Sequence, residues 1–264
     1  MMVFLCTWGA KLQKIPYLCK QNQKYMLSKN QIKLIRSLEL KKNRKRENLF
    51  VAEGPKVVGD LLKAGFHPHS IFSTQPHDNA QTVTDDELRR ISFLQHPQEV
   101  LALFEIPPTS SFQLPPSSLS LALDGIQDPG NLGTIIRIAD WFGISTIFCS
   151  QDTADCYNPK VVQATMGSIA HVNIVYGDLV TLLNETRQPI YGTLLDGENI
   201  YQQELTKEGI IVMGNEGNGI SQEVRRLVTH KLLIPNFCTQ GETAESLNVA
   251  IATAITCSEF RRRV

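Results

Sequence analysis

Residues 119–137 read LSLALDGIQDPGNLGTIIR, and this stretch decides the fold class. Residues 119–124 form a short apolar run of the kind found in buried strands. A turn follows at Pro129 and Gly130, and apolar residues then recur at helical spacing, which predicts a helix that starts at about Asn131. A buried strand followed directly by an amphipathic helix is the repeating unit of a parallel sheet covered by helices.

The same alternation continues towards the end of the chain. Further strands are predicted at 145–149, 172–175, 189–195, 209–213 and 231–234. Helices are predicted at 131–142, 160–168, 178–186, 221–229 and 245–260. Because apolar strands alternate with helices, we expect an α/β fold with a mostly parallel sheet.

The chain ahead of this region predicts a second, smaller α/β unit. Its elements are a helix between Ser28 and Asn48 that runs into a basic cluster, a strand at 49–52, a helix at 55–64, a strand near 71–72 and helices near 85–94 and 97–103. Residues 107–118 are rich in proline and serine, which is typical of a linker. We therefore divide the chain into a disordered extension at 1–25, a small domain at 26–106, the linker, and a larger domain at 119–264.

The composition excludes several classes of protein. Of 264 residues, 42% are hydrophobic, yet no apolar run approaches the roughly 20 residues of a membrane-spanning helix. The six cysteines form no CxxC pair and no zinc-spaced cluster, so we expect no disulfide framework, no metal and a reducing, cytoplasmic location. The net charge of zero conceals a basic front half, because residues 1–107 hold 16 Lys and Arg against 10 Asp and Glu.

The loop after the first strand of the larger domain allows two interpretations. Ligands of such sheets bind at the carboxyl ends of strands. In the simpler interpretation, Asn131 caps the helix and Arg137 pairs with Asp140 one turn further on. In the functional interpretation, Asn131 and Arg137 face an anionic ligand.

Two later loops leave the same choice open. In GNEGNGIS at 214–221, the glycines mark unusual backbone torsions, and a tight turn alone does not account for Glu216. In ESLNVAIA at 245–252, Ser246 and Asn248 either cap a buried helix or line a site.

The three loops, in this order, resemble the three motifs of the SpoU (TrmH) family of RNA ribose 2′-O-methyltransferases, in the SPOUT superfamily. The matching pieces are DPGNLGTIIR, GNEGNGIS, and IP followed by ESLNVAIA, so the resemblance covers about 119–260. Residues 27–106, with FVAEGPKVV, resemble more loosely the small substrate-binding domain that precedes the catalytic domain in many members.

The resemblance implies a C-terminal α/β knot, S-adenosyl-L-methionine as the methyl donor, and a homodimer with its site near the interface. Matched by motif, the catalytic residues would be Asn131, Arg137, Glu216, Ser246 and Asn248. The cofactor-binding residues would be Thr193, Leu194, Gly214, Ile234 and Leu247. Arg137 has been proposed as the base in the family, but a guanidinium stays protonated, so we favour a role in clamping an RNA phosphate.

An RNA-modifying domain also gives the basic cluster a function. Phosphate contacts would be made by Arg36, Lys41, Lys42, Arg44, Lys45 and Arg46. We expect ribosomal RNA as the substrate because of the extra N-terminal domain, with tRNA as the alternative. A catalytically silent RNA-binding protein is the rival from another class, and a nucleotide-binding oxidoreductase ranks far below because the glycine spacing does not match its fingerprint.

Overall fold

A computed structural model describes residues 26–108, 118–238 and 244–262 of the chain. The expected extension at 1–25 and most of the expected linker, 109–117, lie outside the described residues. Within the described ranges, no helix is long and apolar enough to cross a membrane.

The first part of the chain forms a four-stranded sheet with helices. Its elements are α1 (Lys29–Ser37), α2 (Lys41–Glu47), β1 (Leu49–Glu53), α3 (Pro55–Lys63), β2 (Pro68–Ser73), β3 (Gln81–Thr82), α4 (Asp85–Ile91) and β4 (Val100–Glu105). The strand order is β1-β4-β2-β3. A small α/β unit is therefore present at the N-terminal side, as the sequence predicts.

The second part forms a six-stranded sheet. Its elements are β5 (Leu119–Asp124), α5 (Pro129–Trp141), β6 (Thr146–Cys149), α6 (Pro159–Thr165), β7 (Asn173–Tyr176), α7 (Leu179–Glu185), β8 (Ile190–Asn199), β9 (Gly209–Gly214), α8 (Gln222–Arg225), β10 (His230–Leu233) and α9 (Val249–Arg262). The strand order is β10-β8-β9-β5-β6-β7, and every neighbouring pair is parallel. The predicted α/β fold is confirmed, and the knot stays a prediction.

Two predicted elements differ in the structure. The helix predicted near 97–103 is wrong, because residues 100–105 form β4, which lies between β1 and β2. The run Val100–Phe104 is apolar at every position and buried on both sides of the sheet, and such a run has no periodicity that separates strand from helix. The helix predicted between Ser28 and Asn48 is also interrupted. α1 ends at Ser37, the chain turns at the buried Leu38, and the basic cluster therefore lies on a separate helix, α2.

The two units are joined by a packed contact as well as by the chain. The ring of Phe50 on β1 lies 4.7 Å from that of Tyr157, which precedes α6. Buried residues of both units belong to one hydrophobic cluster. Lys56 Nζ on α3 also donates a 2.5 Å hydrogen bond to the carbonyl oxygen of Met166 at the end of α6. This contact fixes the small unit against the larger sheet.

Candidate active site

Two of the motif loops leave the sheet side by side. β5 and β9 are neighbours, and their last residues, Asp124 and Gly214, are paired across the ladder. Asp124 Oδ2 accepts a 2.7 Å hydrogen bond from the backbone N–H of Ser221. One carboxylate at the end of β5 therefore anchors the far end of the loop that follows β9.

Asn215 shapes the second loop. Its backbone N–H and C=O both pair with Gly219 over 2.9 Å, and its side-chain oxygen accepts the N–H groups of Gly217 and Asn218. A Cβ on Gly214 would lie 2.3 Å from the carbonyl carbon of Gly219, so only glycine fits there. These contacts explain the glycine spacing and lift Glu216 to the tip of the loop.

Helix α5 begins earlier than its sequence predicts. Asp128 is the N-cap, and its Oδ1 accepts a 2.7 Å hydrogen bond from the backbone N–H of Asn131. The prediction that Asn131 caps this helix is wrong, because the helix already starts at Pro129, a favoured first residue. As a result, the side chain of Asn131 is left for other partners.

Asn131, Glu216 and Asn248 meet at the carboxyl edge of the sheet, one from each motif. Asn131 Nδ2 donates to Glu216 Oε1 over 3.0 Å, and Asn131 Oδ1 accepts from Asn248 Nδ2 over 2.9 Å. Both ends of the Asn131 amide are thus occupied. The three motif loops, which are far apart in the sequence, therefore contribute to one cluster.

Glu216 is held as a carboxylate. The backbone N–H groups of Gln127 and Asp128 each donate to it over 3.3 Å, in addition to the amide of Asn131. Partial burial alone would raise its pKa, but these hydrogen bonds favour the charged form and leave the pKa of Glu216 lowered. The group is therefore an acceptor at neutral pH and a weak base.

Asn248 has both roles that the sequence left open. Its side-chain oxygen accepts the N–H groups of Ala250 and Ile251 at the start of α9, which is the geometry of a helix cap. Its amide nitrogen reaches Asn131. Ser246 is exposed and makes no hydrogen bond with another described residue through its side chain, so the structure does not bring it into the cluster.

Arg137 lies apart from the cluster in the single chain. It is six residues beyond Asn131 on α5, roughly 9 Å along the helix axis, and it is exposed. Asp140, its expected partner, instead contacts His171 Nδ1 at 3.1 Å. Within the described ranges, no carboxylate lies within ion-pair distance of the Arg137 guanidinium, so the cation is available to a ligand.

Two of the residues matched to cofactor binding lie in an irregular segment of β8. β10 pairs with β8 at Tyr191–Gly192 and again at Glu198–Asn199, so residues 193–197 of β8 have no partner in β10. The ladder with β9 also ends at Gly192. Thr193 and Leu194 are half-buried in this bulge, and Leu194 packs against the hydrophobic cluster that includes Val212 on β9. Gly214 is the last residue of β9, and Ile234 follows β10. Leu247 is half-exposed, immediately before Asn248.

The basic cluster divides into exposed and buried cations. The exposed ones are Lys41, Lys42, Lys45 and Arg46 on α2, and Arg36 on α1. Arg36 also lies over the ring of Phe93, with its guanidinium carbon 4.6 Å from the centroid. Arg44 is only 1% exposed, and its guanidinium contacts Asp155 at 2.5 Å and the carbonyl oxygens of Leu38 and Glu39 at 2.8 Å. Arg44 is therefore not available for phosphate, and we remove it from the proposed RNA-binding set.

Sequence reasoning missed three residues that build the site. Asp124 and Asn215 anchor the second loop, and Asp128 caps α5 so that Asn131 is left for the cluster. Each carried a signal, because Asp and Asn directly after a buried strand or before Pro are typical of turns and caps. Their partners, 90 or more positions away in two cases, were not visible in the sequence.

Metal-binding residues are not assembled in this region. Over 26–108, 118–238 and 244–262, no three His, Cys, Asp or Glu side chains are grouped so that they could hold a metal ion.

The buried cysteines, Cys149, Cys156 and Cys257, lie in the core, where burial raises the pKa of the Cys257 thiol to about 12.

Comparison with known proteins places this site in a family. Residues 118–258 match the model of the SpoU rRNA methylase family, and residues 29–102 match the MRM3-like substrate binding domain. The 23S rRNA guanosine 2′-O-methyltransferase RlmP of Bacillus subtilis is 31% identical over 248 residues, which span 89% of this chain and 97% of RlmP.

Similar solved structures are also RNA methyltransferases by their descriptions. A Porphyromonas gingivalis protein described as belonging to the TrmH family is 43% identical, with a TM-score of 0.80 over 91% of this chain and all of that one. An S-adenosylmethionine-bound rRNA methyltransferase from Sinorhizobium meliloti is 31% identical, with a TM-score of 0.80 over 91% of this chain and 98% of that one. The chain belongs to the SpoU rRNA methylase family.

Proposed function

We propose that this protein transfers a methyl group from S-adenosyl-L-methionine to a ribose 2′-hydroxyl of ribosomal RNA. The observation that carries the proposal is the Asn131–Glu216–Asn248 cluster, assembled from three motifs at the carboxyl edge of a parallel sheet. RlmP, which is 31% identical over most of both chains, acts on 23S rRNA by its name, and this supports ribosomal RNA over tRNA.

The irregular segment of β8 would hold the methyl donor. Thr193 and Leu194 follow the last β8 residue that pairs with β9, Gly214 ends β9 two residues beyond its last pair with β8, and Ile234 follows β10, so backbone groups and apolar side chains would line the site. Such a lining suits an adenosine, which needs apolar contact and a few hydrogen bonds. When bound there, S-adenosyl-L-methionine would supply an electrophilic methyl group, with Leu247 covering it.

The chain's own residues would position the ribose and its proton. A 2′-hydroxyl is a weak nucleophile, so its proton must be polarised or lost during attack. Glu216, whose pKa is lowered, orients Asn131 rather than taking the proton. Arg137, a permanent cation without an ionic partner among the described residues, holds the adjoining phosphate and polarises the hydroxyl, whose proton is released to water as the methyl group is transferred. We place Ser246 at the rim, where it contacts the bound nucleotide.

Exposed cations on α1 and α2 would hold the RNA. We assign Arg36, Lys41, Lys42, Lys45 and Arg46 to phosphate contacts, and residues 29–102, which carry them, match a substrate-binding domain model. Phosphate contacts of this kind weaken as salt rises. Arg44, which the sequence also suggested for phosphate contacts, is buried and forms an ion pair with Asp155 instead.

We also propose that the enzyme is a cytoplasmic homodimer that requires no metal. Trp141 at the end of α5 is 85% exposed and Ile251 on α9 is 53% exposed, and α5 packs against α9. Large apolar side chains exposed on adjoining helices indicate an interface. Analytical ultracentrifugation should give twice the chain mass, Trp141→Glu should lower it, and EDTA should leave methyl transfer unchanged.

Calorimetric titration with S-adenosyl-L-methionine, with NAD as the control ligand, tests the pocket. We expect binding of the methyl donor alone. Methyl incorporation into 23S rRNA from cells that lack the protein, compared with incorporation into tRNA, then tests the reaction. Binding of RNA without methyl incorporation would contradict the enzymatic proposal and favour a silent RNA-binding protein.

A further inference from the structure

An open cleft of about 730 Å³ separates α2 from the edge of the six-stranded sheet. One wall is formed by α2, with Lys41 and Lys45, and the other by the loop after β6 and by β7. None of the predicted catalytic or cofactor residues lines it. We infer that this cleft binds a single-stranded segment of the substrate RNA next to the nucleotide that is methylated, an inference that rests on the proposed function.

The charge of the cleft fits a polyanion. Lys41 and Lys45 are one helical turn apart on the same face of α2, and within the described ranges neither has a carboxylate partner. Among the described residues that line the cleft, only Asp155 is acidic, and Arg44 already neutralises it. Two unpaired cations therefore face the cleft without an opposing charge, which is the pattern that binds phosphates.

The remaining lining suits nucleobases. Lys41 Nζ lies 5.9 Å above the ring of Tyr176, and the exposed amides of Asn48 and Gln151 border the same space. Amides hydrogen-bond to base edges, and the Lys41 cation held over the Tyr176 ring lies beside them for contact with a phosphate. A cavity of this volume lies within the roughly 300–1,000 Å³ of pockets for small ligands, so it has room for a short segment of one strand.

One loop connects the cleft to the candidate active site. The loop after β6 supplies Asp155 to the cleft, while Ala154 N–H donates to the carbonyl oxygen of Ile126 over 2.8 Å. At the start of the same loop, Ser150 Oγ accepts the N–H of Gly125 over 2.8 Å. Gly125 and Ile126 belong to the loop that carries Asn131. One wall of the cleft is therefore in direct contact with the loop that carries Asn131, so RNA bound in the cleft would lie beside the catalytic loops.

The buried Arg44–Asp155 pair holds the two walls together. Arg44 lies on α2 between the two lysines, and both its Nε and Nη2 donate to Asp155 Oδ2, over 3.1 and 2.5 Å. The position of Lys41 and Lys45 relative to the catalytic sheet is thus fixed before any RNA binds. Such preorganisation reduces the cost of ordering on binding.

The test compares RNA binding and methyl transfer by four double variants, with 23S rRNA transcribed in vitro as the probe. Lys41→Gln with Lys45→Gln should weaken binding roughly tenfold and reduce the slope of log affinity against log salt by about 1.4, since a single-strand phosphate contact contributes about 0.7. KM for RNA should rise at constant kcat, with S-adenosyl-L-methionine affinity unchanged. Arginine at both positions should restore binding.

Two comparisons separate the cleft from general surface charge. Lys33→Gln with Lys207→Gln removes the same charge from exposed sites outside the cleft, and we expect binding within twofold of the wild type. Lys42→Gln with Arg46→Gln removes it from exposed positions of α2 that do not line the cleft, and we expect a smaller loss than for Lys41 and Lys45. Equal losses for the two α2 pairs, or no loss for Lys41 and Lys45, would overturn the inference and leave the cleft to another occupant. A wild-type protein that neither binds nor methylates RNA would instead overturn the proposed function itself.

Discussion

The side-chain amide of Asn248 donates a 2.9 Å hydrogen bond to Asn131 Oδ1, although the two residues are 117 positions apart. Asn248 uses its other amide atom to cap α9, and Asn131 uses its own amide nitrogen to orient Glu216. The starts of α5 and α9 are thereby fixed at the site, and the two helices also pack along their length. Displacing either asparagine would disturb the Asn131 amide that links the Glu216 carboxylate to the start of α9.

Replacing Asn131 by alanine should therefore lower methyl transfer by about 100-fold or more, because misplaced catalytic groups cost factors of this size. Asn248→Ala should have a similar effect, and the double variant should lose little beyond either single one, because the pair acts as a unit. Single-turnover methyl transfer measures both. Asn218→Ala, at an exposed side chain of the same loop as Glu216, is the control that should keep near-normal rates. Fully additive losses would contradict the coupling.

Arg137→Ala should abolish methyl transfer while the thermal midpoint changes by no more than about 2 °C. The side chain is exposed and buries no apolar group, so its removal is a surface change of within about 0.5 kcal/mol. Arg187→Ala, at another exposed arginine, should leave both quantities unchanged. Wild-type turnover by Arg137→Ala would exclude the role that we propose for it.

The lowered pKa of Glu216 predicts a specific pH dependence of stability. A group whose pKa is lower in the folded protein stabilises the fold above its unfolded pKa, near 4.5, and loses that contribution as pH falls through the folded value. The difference in urea midpoint between wild type and Glu216→Gln should be constant from pH 8 to about pH 5.5 and shrink below about pH 4.5. A difference that grows towards low pH would show that the carboxylate is destabilising in the fold.

The buried ion pair should be far more sensitive than a surface pair. Arg44→Met leaves Asp155 and two carbonyl oxygens without their donor, and removing one partner of a buried pair costs about 3–5 kcal/mol. Arg46→Met breaks the exposed contact with Glu47 and should cost less than about 1 kcal/mol. Urea unfolding of both variants checks this. Equal, small losses would mean that Arg44 is not held as the structure shows.

Alanine substitutions at two glycine positions should change the stability of the protein in opposite directions. A Cβ on Gly133 would lie 2.4 Å from the Cβ of Ala164, so Gly133→Ala should force α5 away from α6 and destabilise the protein by about 1–3 kcal/mol. A Cβ on Gly59, within α3, meets nothing within 4 Å. Gly59→Ala should therefore stabilise the protein by about 0.5–1 kcal/mol through helix propensity. The thermal midpoints of the two variants should move in opposite directions.

The larger sheet could be predicted almost completely because its strands alternate with helices that have one apolar side. All six predicted strands, from 119–124 to 231–234, are present with ends shifted by a few residues. The predicted helix at 221–229 is shorter, because only Gln222–Arg225 form it. The smaller unit was harder to predict, since the wholly apolar run of β4 carries no periodicity of its own.

The sequence motifs predicted which residues belong to the site, but not which contacts hold them there. Residue types and their order indicated Asn131, Glu216 and Asn248, whereas the anchoring of Glu216 by backbone groups of the first loop depends on the pairing of β5 with β9. Arg44 shows the opposite error. Its neighbours are all cationic or polar, so a surface position was the natural expectation, and only the packing of the two units reveals Asp155 as its partner.

The most direct test of the account is the nucleoside composition of 23S rRNA after incubation with the protein and S-adenosyl-L-methionine, measured by mass spectrometry. We predict one added methyl group on a ribose 2′-oxygen, absent when Asn131→Ala replaces the wild type. A methyl group on a base, or none at all in the presence of bound cofactor and RNA, would contradict the assignment of this site to ribose 2′-O-methylation.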